Sequence, residues 1–100
     1  MCGSTPGGLS TEGIDVSRET VIQGTVSRGD APVAGAYVRL LDASSEFTAE
    51  VQTSATGGYR FFAAPGSWTL RALAGGGAVG EVSIAAEAGI NEVDVVVSSV

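Results

Sequence analysis

From residue 19 onward, apolar and polar residues alternate with a period of two, interrupted at short intervals by turn residues. Such alternation puts successive side chains on opposite faces of a strand. Residues 19–27 set Ile22, Gly24 and Val26 against Val21, Gln23 and Thr25. Ala36 to Leu41 reads as a second strand, Phe47 to Thr53 as a third and Tyr59 to Phe62 as a fourth. Ser67 to Leu73 is the fifth, with Trp68, Leu70 and Ala72 on one face and Thr69 and Arg71 on the other. Glu81 to Ile84 and Glu92 to Val97 complete the set. Between them lie Arg28 to Ala31, Asp42 to Glu46, Ser54 to Gly58, Pro65-Gly66 and Gly75 to Gly77, segments of turn and loop composition.

About seven short strands at spacings of roughly 8–12 residues predict an all-β sandwich of Greek-key-like topology. Val38, Leu40, Tyr59, Phe61 and Trp68 are the expected core. Ile14 and Val16 alternate with Asp15, a pattern for a short edge strand, and Ile84 to Ala88 has the composition of one helical turn ended by Gly89. Ile90 to Val97 is apolar and β-prone, fitting a central strand or an edge that pairs between subunits. Residues 1–18 are expected to form a flexible tail carrying Cys2, and 19–100 the sandwich domain.

The spacing also carries a resemblance. Val21, Gly24 and Val26, then Pro32, Gly35, Val38 and Leu40, then Thr53, Gly57, Tyr59 and Phe61, then Pro65-Gly66, Trp68 and Leu70 follow one pattern. It resembles that of carboxypeptidase-regulatory-like domains, which are small transthyretin-type β-sandwiches. The resemblance implies the fold and says almost nothing of function, since such modules serve many roles. A narrower likeness rests on Met1-Cys2-Gly3, on Val38 to Asp42, on Glu46 to Val51 and on the long run Phe61 to Ala72 and Leu73. These segments are similar to the actinobacterial SseC-like small proteins. That resemblance implies an association with sulfur metabolism, because genes of such proteins lie beside thiosulfate sulfurtransferases (rhodaneses).

Composition narrows the chemistry. The 100 residues include no histidine, no lysine and one cysteine; five arginines face eleven carboxylates, for a net charge of −6. A Ser-His-Asp triad, an imidazole metal ligand, a lysine Schiff base, a phosphate-loop lysine, an internal disulfide and a CxxC pair are all excluded. The acidic balance argues against nucleic acid and anionic membrane, both of which need clustered basic residues. No basic and apolar leader opens the chain and no apolar run has the length of a membrane helix, so a cytoplasmic protein is expected. No cofactor is expected.

Two features remain as candidates. Removal of Met1 would leave Cys2 at the terminus, its α-amine the sole amine of the chain, with a reference pKa of about 7.7–8.0. The adjacent ammonium favours the thiolate. Such a thiol can accept sulfane sulfur, form mixed disulfides or join a soft-metal site; the plain alternative is a thiol with no role. Arg39, Arg60 and Arg71 are at outward positions of three strands, and on one shared sheet they would form a candidate anion-binding stripe. The competing reading is cross-strand pairing with Glu50, Asp42 or Asp94. Asp42, Ser44, Ser45 and Glu46 are oxygen-rich but lack the pattern of a calcium loop, and read as a solvated loop.

The expectation is a non-catalytic accessory protein of sulfur metabolism that partners a thiosulfate sulfurtransferase, with Cys2 as sulfur carrier. The alternative is an interaction module assembling through sheet edges, a homodimer included, with Cys2 incidental. A third class is an enzyme using Cys2 as nucleophile and its own α-amine as base.

Overall fold

The structure, a computed structural model, describes residues 13–99. Their strands are β1 Thr20–Arg28, β2 Ala31–Pro32, β3 Tyr37–Leu41, β4 Phe47–Gln52, β5 Gly58–Ala63, β6 Gly66–Leu73, β7 Val79–Ala86, β8 Gly89–Glu92 and β9 Val95–Val96. One sheet runs β4-β3-β6-β7, and the other is built around β1. The result is the β-sandwich that the alternation predicts. Two details raise the strand count. A two-residue hairpin arm, β2, folds back on the end of β1, and the last strand is split at Val93-Asp94 into β8 and β9.

Strand β1 organises its sheet. It pairs antiparallel with β5 through Thr20 to Thr25, and parallel with β8 and β9 on its other side. The parallel register continues through the break, since the Val93 amide donates to the Gln23 carbonyl at 2.7 Å and the Val97 amide to the Ser27 carbonyl at 2.8 Å. Of the two roles the apolar run Ile90 to Val97 fits, it takes the margin: among the described strands, β8 and β9 each pair only with β1.

The inward faces of both sheets supply the core. Ile22 and Val26 meet Val38, Leu40, Tyr59, Phe61, Leu70 and Ala72, all buried. Burying each aliphatic side chain of this size contributes roughly 1.5–3 kcal/mol. The Tyr59 and Phe61 rings are tilted to each other with centroids 6.0 Å apart. Trp68 is only half-buried: it is near the start of β6, and its Nε1 donates to the Ala64 carbonyl at 2.8 Å. An indole that must satisfy its N–H settles where a free carbonyl is within reach.

Two expected elements take other forms. Ile14 and Val16 form no edge strand; Val16 lies within a turn that begins at Asp15. Asp15 accepts from the Ser17 amide and hydroxyl at 3.0 and 2.6 Å, while the Glu19 amide donates to the Asp15 carbonyl at 2.7 Å. An Asp that binds the backbone two residues on offers a local alternative to a ladder. Residues 84–86 extend β7 instead of coiling, because Ile84, Ala85 and Ala86 pair with Trp68, Ser67 and Gly66. Neighbouring strand pairing overrides the weak helical preference of the alanines.

The two sides of the sandwich differ. At one side, Val79 and Ser98 exchange amide-to-carbonyl bonds of 3.1 Å, joining β7 to the chain end beyond β9. The approach is so close that a Cβ on Gly80 would lie 2.2 Å from the Val96 carbonyl oxygen. At the other side are β4 and β5, each paired to one described neighbour only.

Candidate functional site

Register assembles the polar side chains into rows. Glu50, Arg39, Arg71 and Glu81 are successive cross-strand partners on β4, β3, β6 and β7. They form one line across the solvent face of the four-stranded sheet. The two arginines are immediate neighbours, an unfavourable like-charge pair, and each turns away to the carboxylate on its far side. Arg39 Nε reaches Glu50 Oε2 at 2.8 Å; Arg71 Nε and Nη2 reach Glu81 Oε2 at 3.0 and 2.7 Å. These side chains are 31–49% exposed, so each pair adds at most about 1 kcal/mol.

Arg60 is not part of that line. It is on β5, in the other sheet, where its Nε donates to Gln23 Oε1 at 2.8 Å and Gln23 Nε2 donates to Glu92 Oε2 at 2.8 Å. Gln23 is the cross-strand partner of both Arg60 and Glu92, and is buried. The structure thus brings Arg39 and Arg71 together and separates Arg60 from them. Of the carboxylates expected to pair with arginine, Glu50 does. Asp42 instead accepts from the Ser44 and Glu46 amides at 2.8 and 3.0 Å, and Asp94 from the Thr25 amide at 3.0 Å. Glu81 and Gln23 escape a reading of the sequence because only strand order and register bring them beside their arginines.

The tightest construction lies where the last strand breaks. The Val93 carbonyl projects onto Gly24, where a Cβ would stand 1.8 Å from its oxygen. The buried Tyr59 hydroxyl donates to that same carbonyl. Burial, with Asp94 and Glu92 nearby, raises the Tyr59 phenol well above its ordinary pKa. At the other end of β4, Thr53 is buried and clamps the loop before β3: its Oγ1 accepts from the Ala36 amide at 2.8 Å and donates to the Val33 carbonyl at 2.7 Å.

Two open grooves mark the four-stranded sheet. One, of about 510 Å³, is lined by Ser67, Trp68, Thr69, Ser83 and Ile84 among others; the other, of about 430 Å³, by Arg71, Leu73, Val79, Gly80 and Glu81. Among the described residues, no group of three or more Cys, Asp or Glu side chains is placed to hold a metal ion. No described helix is long and apolar enough to cross a membrane. Cys2, the candidate sulfur carrier, lies outside the described residues.

Comparison with known proteins places the chain. A family model for a protein of unknown function, DUF1416, matches residues 2–97. The chain belongs to the DUF1416 family. The uncharacterized proteins Rv0814c and Rv3118 of Mycobacterium tuberculosis are each 57% identical to it over 97 residues, covering 95% of this chain and 97% of theirs. An uncharacterized protein of Mycolicibacterium smegmatis is 59% identical over 88 residues, covering 86% of this chain and 97% of its own. Among solved structures, a DUF3823 family protein from Parabacteroides merdae superposes with a TM-score of 0.59 at 14% identity. The match covers 81% of this chain and 46% of that one, so the DUF1416 chain spans about half the neighbour's length. At that identity the likeness concerns the fold alone.

Proposed function

We propose that this DUF1416 protein is a non-catalytic accessory protein of sulfur metabolism that binds a thiosulfate sulfurtransferase and carries sulfane sulfur on Cys2. The observation that carries the reading is how the polar groups of the sandwich are used. Arg39 and Arg71 are held by Glu50 and Glu81, Arg60 by Gln23, and Arg28 by the Gly75 carbonyl at 2.6 Å. The Tyr59 hydroxyl is buried against Val93. These groups are committed to the fold, and in this reading the reactive group is the thiol at position 2. The SseC-like resemblance of Met1-Cys2-Gly3 and of Phe61 to Leu73 supplies the sulfur context.

In this reading the Cys2 thiolate attacks the outer sulfur of the enzyme's cysteine persulfide. The S–S bond of that persulfide breaks, the enzyme cysteine leaves as thiolate, and Cys2 becomes the persulfide, with no net oxidation. Intact-mass measurement after incubation with a persulfide-loaded rhodanese provides the test. The expected result is a gain of one sulfur atom on the wild-type chain and none on Cys2→Ser. Equal transfer to both chains, or to neither, refutes the carrier role. Co-sedimentation with the rhodanese checks the partner separately.

A further inference from the structure

The open side of the sandwich has a character that the sulfur reading does not use. The β4–β5 connection is a tight turn, with the Ser54 amide donating to the Gly58 carbonyl at 3.0 Å and the Gly57 amide to the Ser54 carbonyl at 2.9 Å. From that turn the two strands run side by side, one in each sheet, each with an edge unpaired among the described residues. At their far end are two exposed aromatics, Phe47 on β4 (62% exposed) and Phe62 on β5 (57% exposed). The edges also differ in charge. Glu50 is the one charged side chain of β4, and Arg60 the one charged side chain of β5.

We infer that this open side is a homodimer interface in which β4 of each protomer pairs antiparallel with β5 of its partner. A two-fold axis parallel to the strands produces both pairings at once and extends both sheets. The contact is isologous and closed. Charge selects this arrangement over self-pairing: β4 against β4 brings acidic strands together, and β5 against β5 brings arginine to arginine. Placing Glu50 opposite the partner's Arg60 sets the register of the neighbouring positions. Ala49 and Val51 then face the partner's Phe61 and the partner's Tyr59 on the inner side. Thr48 faces the partner's Phe62 on the outer side, one residue from Phe47. Glu50 keeps Arg39 and Arg60 keeps Gln23, so the contact between protomers adds to these bonds. An edge unpaired among the described residues is a ready template for another strand, and here a second copy carries the complementary one.

Sedimentation equilibrium of the full chain, in reductant so that Cys2 forms no disulfide, tests the inference. The expected species is twice the 9.9 kDa chain mass. Phe62→Asp and Glu50→Arg, each checked for native strand content by circular dichroism, are expected to weaken it on the order of tenfold or more. Combining Glu50→Arg with Arg60→Glu restores the complementarity and is expected to recover the dimer. Val96→Asp, at an exposed position on the margin opposite to β4 and β5, is expected to leave it intact. A chain that stays monomeric at every concentration overturns the inference, as does a dimer indifferent to Phe62→Asp and Glu50→Arg.

Discussion

Gly24→Ala is the sharpest perturbation the fold offers. An added Cβ would stand 1.8 Å from the Val93 carbonyl oxygen and 2.5 Å from its carbon. Real contacts need more than 3 Å, so the carbonyl must retreat by more than an ångström. Retreat strains the parallel pairing, where the Val93 amide donates to Gln23 at 2.7 Å, and withdraws the acceptor of the buried Tyr59 hydroxyl. Overpacking of this kind costs about 1–3 kcal/mol. Leaving a buried hydroxyl unsatisfied costs about 1–3 kcal/mol more. A total of about 2–6 kcal/mol is a large part of the roughly 5–15 kcal/mol that holds a small domain. At about 4–8 °C per kcal/mol for a chain of this size, Tm falls by on the order of 10 °C or more. Urea unfolding of Gly24→Ala, Tyr59→Phe and the double variant measures the cost and its origin. Because the alanine already breaks the Tyr59 bond, Tyr59→Phe should cost about 1 kcal/mol less in the Gly24→Ala background than alone. A Gly24→Ala chain as stable as the wild type, or strictly additive costs, would refute the reasoning.

Other expectations follow from single observations. Thr53→Val removes the buried hydroxyl that serves both Ala36 and Val33 and should cost about 2 kcal/mol or more in urea unfolding, whereas Thr53→Ser should keep most of the stability. The Tyr59 phenol is raised in the folded state, so above the unfolded value of about 10 the unfolded chain binds fewer protons than the folded one. Stability therefore declines as pH rises past about 10, approaching about 1.4 kcal/mol per pH unit, and Tyr59→Phe should remove that contribution. Arg71→Gln loses an exposed pair with Glu81 and should change stability by no more than about 1 kcal/mol, less at high salt. A larger and salt-independent loss would show that the row of charges is a structural network.

The inward set was legible where the period of two is a property of single strands. Val38, Leu40, Tyr59 and Phe61 are buried because local alternation alone sends them to one face. Trp68 is the partial exception, drawn toward the Ala64 carbonyl by an N–H that the alternation does not describe. The hairpin β2 and the break at Val93-Asp94 escaped because each is two residues long and depends on what β1 offers, not on pattern. The clustering of arginines was half legible. Outward orientation could be read for all three, but whether two strands share a sheet could not.

The amino-acid order by itself determined where the longer strands form, which side of most of them is apolar, and that the chemistry open to the chain is narrow, since it holds neither histidine nor lysine. Those are consequences of neighbours along the chain. The tertiary structure alone decided that the last strand runs parallel to the first. It also decided that Arg39 stands beside Arg71 while Arg60 joins Gln23, and that one side of the sandwich closes as β4 and β5 stay open. These depend on strand order and register, set by how two apolar faces fill one core. Pairings of residues some seventy positions apart, such as Gln23 with Glu92, leave no local trace in the sequence.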